Sequence, residues 1–248
     1  MKARFLWRAL RARYRDQAPE LGALRRHIRP GDLVCDVGAN KGSYLYWMSR
    51  WAGRVVAFEP QPDLARYLEN ARDALGLDNI TIERLGVSDT SGEAWLYLPS
   101  ANSPEASLVA HTDADRLAIR LVKLDDRFAP SDRIGVMKID VEGAELRVFR
   151  GAERILREQR PVLLFESEQR HLPDGRVADG FTYLESLGYS GWFFHRGRLK
   201  PTGDFDPDFH QSPRGERFWL RRDYCNNFLF LPTAPADARS SDSASPRA

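Results

Sequence analysis

Four acids stand where carboxylates do chemistry. Asp36, Glu59, Asp140 and Glu166 each lie at or next to the end of a short apolar run, within LVCDV (33–37), RVVAFE (54–59), the stretch 134–140 and VLLFE (162–166). If these runs are strands of an open α/β sheet, the acids gather along its carboxyl edge, where such sheets hold their ligands. After the first run the chain reads Asp36-Val37-Gly38-Ala39-Asn40-Lys41-Gly42-Ser43. Gly38 and Gly42 carry no side chains, which permits a sharp turn and a close backbone approach to a ligand. The glycines are four apart and no Gly-Lys-Ser/Thr follows, so neither the dinucleotide fingerprint nor the phosphate loop is present. Glu59, followed by Pro60, comes 21 residues after Gly38, a spacing that suits a carboxylate accepting hydrogen bonds from two ribose hydroxyls. A nucleoside without a diphosphate, beside an acid such as Asp36, points to S-adenosylmethionine, whose amino and sulfonium groups are positive. The plainer alternative is that Asp36 satisfies backbone donors at the turn and Glu59 caps the helix before Pro62.

The elements that must position these residues alternate. The pattern predicts strands at 33–37, 54–59, 80–85, 93–98, 117–124, 134–140, 162–166 and 227–231, with helices at 43–51, 63–75, 144–157 and 181–187. The second helix sets Leu64, Tyr67, Leu68, Ala71 and Leu75 on one face. Such alternation implies a mostly parallel central sheet with helices on both faces. The aromatic run 191–194 reads as core rather than as a sugar-stacking platform.

With 248 residues, 42% of them hydrophobic and 29% charged, the chain suits one generous domain. No run approaches the roughly 18 apolar residues of a membrane span, and a net charge of +2 gives no global field for nucleic acid. Only Cys35 and Cys225 occur, which fits neither a disulfide scaffold nor a structural zinc site and suits the cytoplasm. Residues 1–29 form a basic helical segment, with nine basic and two acidic side chains in the first thirty positions. Arginines interrupt every apolar run there before it reaches the length of a secretory signal. A helix over 5–14 would align Ala3, Leu6, Trp7, Leu10 and Tyr14; this stripe either caps the core or makes a peripheral contact with an anionic membrane surface. Residues 30–231 form the folded domain, and 232–248, rich in Pro, Ser and Ala, read as a disordered tail. Oligomeric state is not written in these patterns.

The segments DVGANKG (36–42), AFEPQP (57–62), LGVSDTSG (85–92), VKLDD (122–126), MKIDVEGAELRVFRGA (137–152), LLFESE (163–168) and NNFLFLP (226–232), in this order, resemble the FkbM-like class I methyltransferases. The resemblance implies a Rossmann-like class I methyltransferase fold and S-adenosylmethionine-dependent methylation, typically of an oxygen, on a sugar, a glycan or another small molecule. It implies that Gly38, Ala39, Asn40 and Gly42 line the cofactor, with Ser43 and Pro60 at the margins, and that Glu59 meets its ribose. Leu85, Gly86 and Val87 would flank the adenine, and Ser88 and Asp89 would lie within reach of its exocyclic amine.

A hydroxyl acceptor must lose a proton, which calls for a base or for a metal that lowers its pKa. Asp140, at the end of the central strand, is the leading base, followed by Glu142 and then Glu145. Glu142 has an alternative role as an acid at a helix N-terminus. Glu166 joins Asp140 as a catalytic candidate, and the two, helped by Glu168 or His171, have the oxygen ligands a divalent ion would need, a weaker reading than ion pairing. Ion pairing of these carboxylates with Lys138 or Arg147 is the ordinary alternative, with Lys138 snorkelling to the strand edge. His111, His171, His195 and His210 fall in acceptor-side loops or the C-terminal part and are able to serve as a base or simply to face water. Two other functions use similar parts. A nicotinamide-dependent oxidoreductase would need a third glycine and a Tyr/Lys pair, which are missing, and a methyltransferase-like scaffold that does not catalyse would not need all these acids.

Overall fold

Alternate residues of the first strand settle the layering, because successive side chains of a strand point to opposite faces. In β1 (Leu33–Val37) the side chains of Leu33, Cys35 and Val37 enter one apolar cluster and Val34 enters the other. All five are buried, as expected of a strand covered on both faces. This architecture comes from a computed structural model, which describes residues 2–98 and 115–233.

The chain opens with α1 (Lys2–Arg11), a π turn (Ala12–Asp16) and α2 (Ala18–His27) before β1. It continues through α3 (Leu45–Trp51), β2 (Arg54–Phe58), α4 (Pro62–Leu75), β3 (Ile80–Glu83), β4 (Gly86–Val87), β5 (Gly92–Leu98), β6 (Asp115–Val122) and α5 (Leu124–Arg127). Then follow β7 (Ile134–Ile139), α6 (Glu145–Arg150), α7 (Glu153–Glu158), β8 (Val162–Glu166), α8 (Val177–Ser186), β9 (Tyr189–His195), β10 (Arg198–Pro201) and β11 (Asn227–Pro232). Eight strands form one sheet in the order β10-β9-β11-β8-β7-β1-β2-β3. The five from β8 to β3 are parallel, and β11, β9 and β10 add antiparallel pairs at one side. Strands β4, β6 and β5 make a separate small sheet.

Three local features depart from the periodicity. The predicted helix 144–157 is two helices, because a Cβ at Gly151 would stand 2.0 Å from the Ser88 carbonyl oxygen; the chain bends there to let two backbones touch. Strand β9 contains the aromatic run 191–194 and buries Phe193 and Phe194 as expected of core, β10 and helix α2 have no counterpart in the predicted elements, and residue 124 begins α5 instead of ending a strand. The last strand reaches Pro232, one residue past the expected domain end; residues 234–248 and the loop with His111 lie outside the described residues.

Helix α1 turns out reversed about its axis. Phe5, Ala9 and Ala12 face inward, while Trp7, Leu10 and Tyr14, expected to cap the core, are exposed. The reason is the fit of one ring: at Gly42, with φ of 75°, a Cβ would lie 2.7 Å from Phe5 Cε2 and 2.9 Å from Leu68 Cδ2. The missing side chain at Gly42 therefore makes room for Phe5. Gly42→Ala is expected to destabilise the fold by about 1–3 kcal/mol, the usual penalty for overpacking a filled core, and to lower the melting temperature. An unchanged thermal transition would show that this contact does not hold α1 in place.

Candidate functional site

The sheet order puts β1 between β2 and β7: the chain runs outward from β1 through β2 to β3 and later returns to the other side of β1 as β7, and this reversal opens a crevice at the β1 carboxyl end. An open cleft of about 620 Å³ occupies that place. Of the candidate residues it brings together Gly38, Asn40, Glu59, Pro60, Gly86, Val87, Asp140 and Glu142. Its apolar wall is Phe58, Leu85 and Val87, completed by Leu96 and Ile119 from the small sheet. Those last two were invisible to the strand-end argument, since they lie mid-strand in β5 and β6, which reach the cleft only by pairing with each other and with β4.

Other candidates stand behind the cleft. Ala39 is buried, Gly42 lies under Phe5, Ser43 is half-buried and none of the three lines the opening. Gly38 lines it, yet its lack of a side chain serves a different contact: at φ of 77° a Cβ would sit 1.8 Å from the Asp140 carbonyl oxygen. The two loops that carry the site are thus pressed backbone to backbone. Ser88 is fully buried and its hydroxyl donates to Asp89 at 3.1 Å; neither lines the cleft.

Glu59 is buried and accepts the backbone N–H of Asn40 at 2.8 Å and of Gln61 at 2.9 Å, one on each oxygen. It therefore ties the β1 turn to the start of α4, and each carboxylate oxygen keeps acceptor capacity for the cleft. Burial pushes its pKa up to about 7, against the lowering effect of the two backbone bonds. Asn40 and Glu142, both at the cleft, have φ of 49° and 48°, a left-handed conformation that costs non-glycine residues energy and concentrates at functional sites.

Beneath the cleft lies a charge cluster. Lys138 is buried; its Nζ donates to Asp140 Oδ2 at 3.1 Å and to the Gly38 carbonyl at 3.3 Å, and it stands 3.9 Å from Asp36 Oδ1. Its ammonium also lies 5.2 Å from the centre of the Tyr44 ring, within cation–π range. Burial alone would lower the Lys138 pKa, but Asp140 and Asp36 override it and leave it raised. The expected snorkelling does not occur, because the two carboxylates are nearer than solvent. Both Asp36 side-chain oxygens are buried without a hydrogen-bond partner, and burial raises its pKa to about 6. Asp36 thus does not serve the backbone donors of its turn. Asp140 is 28% exposed and is the member of the cluster that reaches the cleft.

The remaining acids fall into separate roles. Glu145 is buried, accepting from the Gly143 N–H at 3.0 Å and the Ser167 hydroxyl at 3.2 Å, so it braces its own loop. Glu168 is held by Arg170, Tyr224 and Asn226. Glu166 accepts from Asn226 Nδ2 at 2.6 Å, and burial followed by the nearby charges of Asp140, Glu142 and Glu168 holds its pKa well above the usual carboxylate range. His171 pairs with Glu142 at 2.6 Å, His195 with Asp223 at 3.0 Å, and His210 with the backbone of Asp206. Among the described residues no group of three His, Cys, Asp or Glu is spaced to hold a metal ion, so Asp140, Glu166 and His171 are not brought together as ligands.

A wide groove that shares no lining residue with the cleft is lined by Arg11, Arg15 and Glu20 from the α1–π turn–α2 segment and by Arg196, Arg221, Arg222, Tyr224 and Asn226. Glu20 Oε2 is buried without a hydrogen-bond partner, and burial raises its pKa to about 7. Tyr44, whose pKa is raised by burial and then by Glu20, Glu166, Asp140 and Asp36, lies electrostatically between groove and cleft. Sequence reasoning missed Glu20 and Tyr44 because neither sits at a strand end.

The profile of the methyltransferase FkbM domain matches residues 36–190. Over 150 residues the chain is 31% identical to the hexuronic acid methyltransferase AglP of Haloferax volcanii, an overlap of 58% of this chain and 61% of that protein. The crystal structure of methyltransferase FkbM from Methylobacillus flagellatus KT shares the fold, with a TM-score of 0.55 at 19% identity, over 82% of this chain and 44% of that one. In each pair less than two thirds of the relative is spanned. The architecture is the mostly parallel α/β fold of class I methyltransferases.

Proposed function

The chain belongs to the FkbM-domain methyltransferases, and from that membership we propose that it transfers a methyl group from S-adenosylmethionine to a hydroxyl oxygen of a sugar. The observation that carries this reading is the cleft at the β1 carboxyl end, with a buried acceptor, Glu59, on one side and the Asp36–Lys138–Asp140 cluster under the other. The residues present fit the cofactor. Glu59 retains lone pairs for ribose hydroxyls, and Phe58, Leu85, Val87, Leu96 and Ile119 offer an apolar slot for a base. Asp36 and Asp140 supply negative charge near a sulfonium, with Asp36 unsatisfied by any other donor.

Bound there, S-adenosylmethionine supplies an electrophilic methyl group open to in-line attack. The protein's work is to hold the acceptor hydroxyl at attack distance in a site screened from water. Asp140 would accept the hydroxyl proton as the methyl carbon exchanges its bond to sulfur for one to the acceptor oxygen, with S-adenosylhomocysteine as the leaving group, and Lys138 holds the carboxylate in place through the 3.1 Å bond. Glu142, fixed by His171, borders the same opening. The acceptor enters along the arginine-lined groove, whose fork-shaped donors suit a carboxylate on a sugar; AglP is named for a hexuronic acid. Both cysteines are buried free thiols, which suits a cytoplasmic setting.

Calorimetric titration with S-adenosylmethionine and S-adenosylhomocysteine, with NADH as control, tests the assignment. The first two are expected to bind and NADH not. Glu59→Ala is expected to weaken S-adenosylhomocysteine by about 10- to 100-fold, the loss of hydrogen bonds to a charged group. Affinity equal to wild type would remove Glu59 from the ribose site.

A further inference from the structure

The outward face of α1 takes no part in the cleft. Trp7, Leu10 and Tyr14 are 60%, 47% and 71% exposed, and at helical spacing they form one stripe. Arg4, Arg8 and Arg11 run along one flank of it and Lys2 and Arg13 along the other. Helix α1 contains no acid. Asp16, just beyond it, is already held by Arg11 at 2.6 Å and approached by Arg15 at 3.8 Å. Lys41 lies close enough that its pKa is lowered, first by burial and then by the like charges of Arg8 and Arg4. The inner face of α1 and the π turn packs on the domain through Phe5, Ala9 and Ala12 and Tyr14 meets Trp47 edge-on, so Trp7 and Leu10 are the part of the stripe that the fold does not use.

A second element repeats this chemistry from a distant part of the sequence. The turn at 218–222 presents Trp219 and Leu220, 51% and 69% exposed, next to Arg221 and Arg222. It faces Arg11 and Arg15 across the groove that leads toward Asn226 and Glu166. The second patch lines this opening with its own tryptophan and leucine, and the first reaches it through Arg11 and Arg15.

Apolar side chains gain by leaving water, and arginines without acidic partners gain by meeting fixed anions. A nucleic acid would meet the second demand and leave Leu10 and Leu220 unmet. The headgroup region of an anionic bilayer meets both, because an amphipathic helix buries its apolar face there while its basic flanks contact phosphate. We propose that α1 and the 218–222 turn dock this protein on an anionic phospholipid surface, so that the groove opens at the headgroup plane and takes its acceptor from there. The docking itself does not need the cofactor site, since none of its residues lines the cofactor cleft; the supply of acceptor rests on the methyl-transfer reading, because the 218–222 turn lines the groove assigned to the acceptor.

The test is flotation of the full chain with vesicles of phosphatidylcholine alone or mixed with phosphatidylglycerol, read together with tryptophan emission. Binding is expected only to the mixed vesicles, with a blue shift of the emission, and is expected to weaken as salt is raised. The double substitution Trp7→Ser and Leu10→Ser is expected to lower partitioning by more than about tenfold, and Arg4→Gln or Arg8→Gln by roughly fivefold each. The melting temperature should hold in all of them. No binding to mixed vesicles, equal binding to neutral ones, or undiminished binding by the Trp7/Leu10 variant overturns the proposal. S-adenosylhomocysteine calorimetry on the same samples keeps the two readings apart. Vesicle binding without cofactor binding defeats only the methyltransferase assignment, and cofactor binding without vesicle binding defeats only the docking.

Discussion

Asp140→Asn is expected to cut methyl transfer by about 10²- to 10⁴-fold, the range that a positioned general base contributes, while leaving S-adenosylhomocysteine affinity near wild type. The substitution keeps the size of the side chain and leaves an amide oxygen able to accept from Lys138, whose ammonium lies 3.1 Å away. What it removes is the capacity to take up the hydroxyl proton. S-adenosylhomocysteine release in the presence of a hexuronic acid glycoside measures the effect, and calorimetry reports the cofactor separately. A turnover number within about threefold of wild type, well below the loss expected of a removed base, would take the proton away from Asp140. Glu142 would then inherit the role, since of the two remaining carboxylates that line the cleft, Glu59 and Glu142, the first is assigned to the ribose.

The second large effect concerns Lys138. Lys138→Met leaves Asp36, which is 1% exposed and has no hydrogen-bond partner, without the cation 3.9 Å away. Breaking one side of a buried charge pair costs about 3–5 kcal/mol. The loss has a direction in pH. The Asp36 pKa is already raised to about 6 from 3.8, chiefly by burial, with Lys138 opposing the rise. Without that opposition it moves higher, so the folded state favours the protonated acid still more strongly over the unfolded state. Such a group keeps its full stabilising contribution below the unfolded pKa and loses it as pH climbs through the folded one. The variant should therefore lie nearest to wild type at acidic pH and fall furthest behind above neutrality. Denaturant titrations at several pH values measure this, and adding Asp36→Asn should recover part of the deficit. A deficit that is the same at every pH would mean that Lys138 acts by packing alone.

The central strands and the acids at their ends were legible because a strand covered on both faces must be a short, continuous apolar run, and an acid at its end breaks the run. Asp36, Glu59, Asp140 and Glu166 stand out for that reason. The glycines were legible as necessary, but the packing they permit was not. Gly38 and Gly42 look like a ligand loop, yet Gly38 admits the Asp140 carbonyl and Gly42 admits the Phe5 ring. A local pattern shows that a side chain is missing; only the assembled fold shows what fills the space. The orientation of α1 failed similarly. Periodicity finds two faces on a helix, and here the smaller, alanine-rich one packs inward. Lys138 was read as reaching outward because a lone strand gives no hint that Asp36, from its neighbour, will stand beside it; the register pairs those two residues directly. Leu96 and Ile119 were beyond reach because their sheet joins the cleft wall only in three dimensions.

The position of β11 also bears on the order in which the molecule can be completed. It is the last strand of the described chain, yet it lies inside the sheet, hydrogen-bonded to β8 on one side and β9 on the other. During synthesis both neighbours exist before the strand that joins them, so each presents a raw edge of unpaired backbone until Asn227–Pro232 arrives. Exposed edges of that kind recruit strands from other chains. A nascent protein halted just short of residue 227 would have its parallel core and its Tyr189–Pro201 hairpin in hand, with nothing between them and every incentive to pair with a stranger.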